Sequence, residues 1–211
     1  NNRPLVNMSL TDFANETASE SPAPGGGSIS AYCGAMGICL GTMVANLSAH
    51  KRGWDDKWEF YSEWGEQSLE LQNTLVNLVD EDTLAFNKIM SAISLPKDTN
   101  KQKLTRSIAM ESATKYAIEI PFKVMKTSFA CLESIKCMTE LGNPNSISDA
   151  GVAALCIRTA VMGAFLNVKI NCKDLKDKKF VSSILKKGKV IVNDTKRIEA
   201  EILELVEKQL N

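Results

Sequence analysis

The stretch SISAYCGAMGICLGTMVANLSA, residues 28–49, decides the fold class. From Ile29 to Ala49 it runs twenty-one residues without a charge, about the length that spans a bilayer. Its content argues against a span. Ser30, Thr42, Asn46, Ser48 and three glycines lie within it, and Pro22-Ala23-Pro24-Gly25 precedes it in place of basic or aromatic anchors. Gly34, Gly37 and Gly41 with Ala31, Ala35 and Ala45 make a small-residue face on which another helix can lie very close. The expectation is a fully buried helix of a soluble protein, with no membrane partner.

Working outward, the flanks read as helix almost throughout. Ser9 with Asp12 is a capping box opening a short helix to about Ala18, and residues 19–27 are loop by composition. Ser28 stands where the N-cap of the uncharged helix belongs. A long amphipathic run from about Asp55 ends at Ile93, ahead of Leu95-Pro96, because the residue before proline avoids helical angles. Thr99 with Gln102 is another capping box, and the helix it opens must be kinked or interrupted by Pro121 and ended by Gly142. Ser148 or Asp149 opens a second strongly apolar helix through about Asn171, and a last helical region runs from about Leu175 to Leu210. No stretch sustains apolar/polar alternation, since residues 190–192 are too short to count as a strand. These signals predict an all-α protein, an up-and-down bundle with long apolar helices at its centre and one domain over residues 1–211. Two nearly charge-free helices also predict a homodimer that buries part of them.

The 211 residues carry 25 Lys and Arg against 25 Asp and Glu. A net charge of zero leaves no surplus of cations to gather against phosphates, so nucleic acid is not an expected partner. His50 is the single histidine, which removes metal sites needing two imidazoles and leaves a histidine-dependent triad one candidate. Cys33, Cys39, Cys131, Cys137, Cys156 and Cys172 never stand at Cys-x-x-Cys spacing, and five lie among apolar residues. They are expected to be small buried hydrophobes in a reducing compartment. With no basic n-region or apolar h-region at the start, a cytoplasmic location is expected.

At 100° per residue, Phe60, Trp64, Leu71, Leu75, Leu78, Phe86, Ile89 and Ile93 all fall within about 40° of Asp82 on the helical wheel. Asp80 and Glu81 point about 160° and 100° away and read as solvated charges. A carboxylate in a core-facing stripe needs donors, a cation or a cleft, or else takes up a proton with a raised pKa. That is the environment of a general acid/base, although a structurally bonded aspartate meets the same demand. The second feature is Gly25, Gly26 and Gly27 feeding into Ser28. Glycines let a backbone approach a ligand, and the unpaired N–H groups of a first turn favour anions or carbonyl oxygens. No Gly-Lys-Ser/Thr follows and no dinucleotide fingerprint is present. A polar turn around Asn143 delivers another helix start at Ser148 and Asp149. Asn167 and Asn171, four apart, share a face of the apolar helix that follows, where buried amides need partners from the backbone or a ligand. Lys51 and Arg52 close the uncharged helix and suit its negative dipole end, or a carboxylate-rich ligand.

Taken together, Ala18-Ser-Glu-Ser-Pro-Ala-Pro-Gly-Gly-Gly-Ser28, the small-residue helix and Val79-Asp-Glu-Asp-Thr-Leu-Ala-Phe86 resemble the cyclodeaminase/cyclohydrolase family. This is the family of the C-terminal domain of formiminotransferase-cyclodeaminase. Leu95-Pro-Lys, Gly142-Asn143, Ser148-Asp149 and Gly163-Ala through Asn167 to Asn171 follow in the same order, so the resemblance covers nearly the whole chain. It implies an all-helical homodimer acting on tetrahydrofolate one-carbon derivatives without metal or organic cofactor, with Asp82 matching the catalytic aspartate. It also implies that Gly25, Gly26, Gly27, Ser28, Asn143, Ser148, Asp149, Asn167 and Asn171 surround the folate cleft, with Lys51 or Arg52 at the glutamate tail. No formiminotransferase domain is seen in the sequence, so a separate formiminotransferase is the partner this implies, and polyglutamylated folates fall within the substrate class. Formiminotetrahydrofolate cyclodeaminase is the activity expected first, methenyltetrahydrofolate cyclohydrolase second. A non-catalytic folate-binding dimer would have no use for a carboxylate in a core stripe.

Overall fold

In the computed structural model, which describes residues 4–173 and 175–211, every regular element among the described residues is helical. The Ser9 hydroxyl accepts the Asp12 N–H and starts α1 (Leu10–Thr17). Five long helices follow: α2 (Gly26–Ala49), α3 (Trp58–Ile93), α4 (Asn100–Leu141), α5 (Ile147–Asn171) and α6 (Lys178–Leu210). Thr99 and Gln102 form the complete capping box expected of them. Gly53, with φ +86°, turns the chain between α2 and α3.

Three boundaries differ from the sequence reading. The N-cap of α2 is Gly25, so Ser28 lies inside the first turn; its N–H and hydroxyl bond to α3 instead of capping their own helix. A 3₁₀ turn over Pro144–Ser146 starts α5 early, which puts Ser148 and Asp149 within the first turn rather than ahead of it. Helix α6 waits until Lys178, because Asp177 caps it by accepting the Phe180 N–H at 3.0 Å. Pro121 neither breaks nor ends α4. Proline lacks the N–H that would bond the Ala117 carbonyl one turn back, and Asn171 Nδ2 fills that position at 2.7 Å.

Long helices consecutive in the chain alternate in direction. Ser28 meets Asp82, Ser68 meets Ser134, Asn171 meets Ala117, and Arg158 meets Glu199. Helix α2 is gripped on three sides at Gly34. A Cβ there would lie 2.6 Å from Ser128 Oγ on α4, 3.2 Å from Leu75 on α3 and 3.3 Å from Ala160 on α5. The small-residue face therefore works as expected, letting three helices close on a fourth.

Helix α2 is only half enclosed, however. It and the Pro144–Asn171 segment are long and apolar enough to cross a membrane by length and composition, with 56% and 44% of their apolar windows buried. Their outer faces expose Met43, Leu47, Val152, Leu155, Leu166 and Ile170. Only Cys131 and Cys172 are buried as expected, while Cys33, Cys39, Cys137 and Cys156 are half-buried. The apolar stripe expected on α3 is also redistributed. Phe60, Phe86 and Ile93 are exposed, and Tyr61, Gly65, Ser68, Val79, Ala85 and Ala92 are buried beside Leu75 and Leu78. The buried face drifts from about 60° on one side of Asp82 at Tyr61 to about 80° on the other at Ala92, as wrapped helices require. Beyond Asp82, α3 also outruns the N-terminus of α2, leaving Phe86 uncovered.

Candidate active site

Asp82 reaches the first turn of α2. Its Oδ2 accepts the Ser28 N–H at 3.0 Å, and Ser28 Oγ donates to the Val79 carbonyl at 2.8 Å while lying 3.3 Å from the same Oδ2. The approach is possible because residue 27 is glycine. A Cβ on Gly27 would sit 2.1 Å from Asp82 Oδ1 and 2.4 Å from its carboxyl carbon. Oδ1 receives no hydrogen bond from the described residues and is left open. The Gly26 and Gly27 N–H groups have no partner inside the helix, so two donors and one acceptor oxygen face the same end of α2.

Burial pushes the Asp82 carboxyl above the ordinary aspartate range, against the lowering effect of the Ser28 N–H and hydroxyl. The positive end of α2 also favours the ionised form. A hydroxyl has one proton, and the shorter contact to Val79 takes it. Ser28 Oγ therefore does less than the Ser28 N–H to hold Asp82 ionised. The carboxyl is easier to protonate than an exposed aspartate.

Asn167 completes this end. Its Nδ2 donates to the Gly163 carbonyl at 2.9 Å, and a Cβ on Gly26 would lie 3.3 Å from that nitrogen. Asn171 lies one turn farther along, with its Nδ2 held by Ala117, so the backbone partner foreseen for these amides is present while each Oδ1 remains able to accept. Gly25, Gly26, Gly27, Ser28, Asp82, Asn167 and Asn171 thus share one end of the bundle.

The other motif residues lie at the opposite end. Asn143 donates its N–H to Ser48 Oγ at 2.8 Å, and Ser48 is twenty residues along α2 from Ser28, about 30 Å away. Ser148 and Asp149 open α5 beside Asn143, and Lys51 and Arg52 follow the C-terminus of α2. Lys51 lies 4.0 Å from the centroid of Trp54. A single chain does not bring these five residues to Asp82, because α2 and α5 each span the bundle between them.

The neighbours of Asp82 are not the free surface charges expected. Asp80 Oδ1 accepts the Leu5 N–H at 2.6 Å, tying the N-terminal segment to α3. Glu81 accepts the Tyr116 hydroxyl, and that bond, with burial, pushes the Tyr116 phenol up to about 12. No sequence signal links Glu81 to Tyr116, thirty-five residues away. Among the described residues no three His, Cys, Asp or Glu side chains converge as metal ligands would.

Residues 9–189 match the family model described as formiminotransferase-cyclodeaminase. The methenyltetrahydrofolate cyclohydrolase of Methylorubrum extorquens is 33% identical over 97% of this chain and 99% of its own length. The formimidoyltransferase-cyclodeaminase of Gallus gallus is also 33% identical over 97% of this chain, which spans only 38% of that protein. The crystal structure of formiminotetrahydrofolate cyclodeaminase from Thermotoga maritima superposes with a TM-score of 0.79 at 27% identity, covering 97% of this chain and 96% of that one.

Proposed function

The chain belongs to the formiminotransferase-cyclodeaminase family, and from that premise we propose that it is a formiminotetrahydrofolate cyclodeaminase. It closes 5-formiminotetrahydrofolate to 5,10-methenyltetrahydrofolate with loss of ammonia. The observation that carries this reading is the Asp82 carboxyl, raised in pKa and seated against the free N–H groups of α2 with one oxygen open. Ring closure is intramolecular, so the enzyme has to fix the substrate's conformation and move protons. Asp82 Oδ1 takes the proton from N10 as it attacks the formimino carbon and returns one to the departing amine. Such general acid–base catalysis contributes about 10²–10⁴-fold. The Gly26 and Gly27 N–H groups and the Asn167 and Asn171 amides orient the pterin, with no call on a metal or organic cofactor.

A methenyltetrahydrofolate cyclohydrolase is the second reading. It is favoured by the Methylorubrum relative, whose full length this chain matches. The chemistry is nearly the same, with water in place of ammonia. In either case the protein works in the cytoplasm in one-carbon metabolism, as a homodimer joined through the exposed apolar residues of α2 and α5. For the cyclodeaminase a separate formiminotransferase supplies the substrate, and histidine breakdown is the pathway served. Sedimentation should give twice the 23.1 kDa chain mass.

The test follows methenyltetrahydrofolate absorbance with each substrate in turn. A signal rising from 5-formiminotetrahydrofolate supports the first reading, and an accelerated fall from methenyltetrahydrofolate alone supports the second. Asp82→Asn should abolish most of either while leaving the helical content intact. No turnover of either compound by the unaltered protein would refute both.

A further inference from the structure

Helix α2 begins at the level of Asp82, but α3 runs on to Ile93, so about three further turns of α3 carry a face that α2 no longer covers. Phe86 is the first residue to return to that face. It stands one turn from Asp82, about 40° round the helical wheel, with the two Cβ atoms about 5–6 Å apart. Side chains on a helix lean toward its N-terminus, so the ring tips back over the turn that carries Asp82. It borders the open carboxylate oxygen and the first turn of α2, and it is 37% exposed.

A half-exposed aromatic is ordinary by itself. Here the other rings near this end of the bundle are already engaged. Tyr116 donates its hydroxyl to Glu81 and has Lys88 Nζ 3.5 Å from its ring centroid. Phe13 pairs with Tyr32 at 5.6 Å between centroids, and Lys115 Nζ lies 5.6 Å from the Phe180 centroid. Phe86 has neither an aromatic nor a cationic partner among the described residues. An aromatic face without a partner, one turn from the reacting carboxyl, suits a second flat ring packed in offset fashion.

The connectivity of the substrate decides which ring that is. Asp82 acts at N10, and N10 is bonded directly to the aminobenzoyl ring. The flat half of the pterin is set off from N10 by a methylene and a saturated ring. The groups that suit its polar edge, the Gly26 N–H and the Asn167 and Asn171 amides, lie toward α5, across α2 from Phe86. We infer that Phe86 positions the substrate by packing its ring against the aminobenzoyl ring, which holds N10 in front of the Asp82 carboxyl. The inference rests on the folate reading above and places a part of the substrate which that reading leaves unplaced. The two rings touch alike before and during ring closure, so the contact is felt in KM rather than in kcat.

Steady-state kinetics on the full chain, with whichever folate it turns over, would compare the unaltered protein with Phe86→Ala, Phe86→Leu and Phe86→Tyr. Leu84→Ala is the control, since Leu84 is 49% exposed on the same helix but points about 160° from Asp82. The two halves of the substrate, N-(4-aminobenzoyl)glutamate and 6-methyltetrahydropterin, serve as competitive inhibitors. Phe86→Ala should raise KM about fivefold to fiftyfold and Phe86→Leu about threefold to tenfold, with kcat within about threefold. Inhibition by the aminobenzoyl fragment should weaken in step, and inhibition by the pterin fragment should not change. Phe86→Tyr, which keeps the aromatic face, should restore KM to within about twofold. A merely structural Phe86 would weaken both fragments alike, and that result overturns the inference. An unchanged KM in Phe86→Ala overturns it too while turnover by the unaltered protein upholds the folate reading, and so does a loss confined to the pterin fragment. If the unaltered protein turns over neither folate, the folate reading itself falls and takes the inference with it.

Discussion

Substituting Gly27 by alanine probes whether the glycine loop exists to admit the Asp82 carboxylate. The added Cβ would fall 2.1, 2.4 and 2.5 Å from three atoms of that carboxyl. Ordinary contact is about 3.5 Å, so the carboxyl must retreat by roughly 1 Å or more. It then gives up the 3.0 Å bond from the Ser28 N–H. Overpacking of this kind costs about 1–3 kcal/mol, and a chain of this length loses about 2–4 °C of Tm per kcal/mol. A displacement of about 1 Å at the reacting group lowers kcat by about 10²-fold. The informative measurement is a double-mutant cycle in thermal unfolding. Gly27→Ala alone should lower Tm, whereas in an Asp82→Ala background the clash is gone. There the alanine should be neutral, or stabilising by up to about 1 kcal/mol through its helix propensity. A coupling energy near zero would refute the reasoning, as would a Gly27→Ala enzyme with undiminished kcat.

The raised pKa of Asp82 has two consequences for pH. The folded chain holds this proton more tightly than the unfolded chain, so ionisation costs stability as pH rises from the ordinary aspartate value through the folded one; Asp82→Asn should remove that fall in Tm. The acid limb of kcat/KM should titrate above the ordinary aspartate pKa and disappear with the residual activity of the same variant. Asn171→Ala leaves the Ala117 carbonyl, orphaned by Pro121, without its donor, and should cost about 1–3 kcal/mol in denaturant unfolding. Adding Pro121→Ala restores a helical N–H and should recover most of that loss; a double variant no more stable than Asn171→Ala would refute the pairing. Tyr116→Phe should delete from an alkaline ultraviolet titration the phenol near pH 12 and cost about 1 kcal/mol, with turnover unchanged.

What the sequence discloses here is the kind of each element and which carboxylate of residues 80–82 faces the first turn of α2. Apolar spacing along α3 separates Asp82 from Asp80 and Glu81 because only one of three consecutive residues can share a face with Leu75 and Leu78. Where the wheel fails, its assumptions fail: it takes the partner helix to be as long as α3 and the buried face to stay in line. Phe86 is exposed because α2 begins at the level of Asp82, and Phe60 because the buried face has drifted to Tyr61. Pro121 illustrates a different limit. Local rules predict a kink or an interruption; the helix continues through the proline, and the amide that takes up the orphaned carbonyl stands fifty-four residues away. Motif order is equally silent about distance. Asn143 and Asp149 lie between Asp82 and Asn167 in sequence, yet they stand at the other end of the bundle.

The charge-free character of α2 bears on the chemistry as well as on the packing. A first turn carrying lysine or arginine would hold Asp82 ionised, and one carrying Asp or Glu would compete for the same N–H groups. Glycine at 26 and 27 leaves only backbone donors and the helix dipole to stabilise the anion, and each is modest in size. Burial, made tight by small residues at Gly27, Ser30 and Gly163, works against them. Burial is the larger of these opposing effects and raises the pKa, while the Ser28 N–H keeps the anion supported. A group that must accept a proton from one nitrogen and return it to another needs that balance, since a strongly stabilised anion would be too weak a base and a firmly held acid would not accept. Ile29→Lys, which sets an ammonium at a half-buried position in the first turn of α2, should therefore move the acid limb of kcat/KM to lower pH and slow turnover above it. A limb that stays where it was would separate Asp82 from the electrostatics of α2 and remove the reason for a glycine loop.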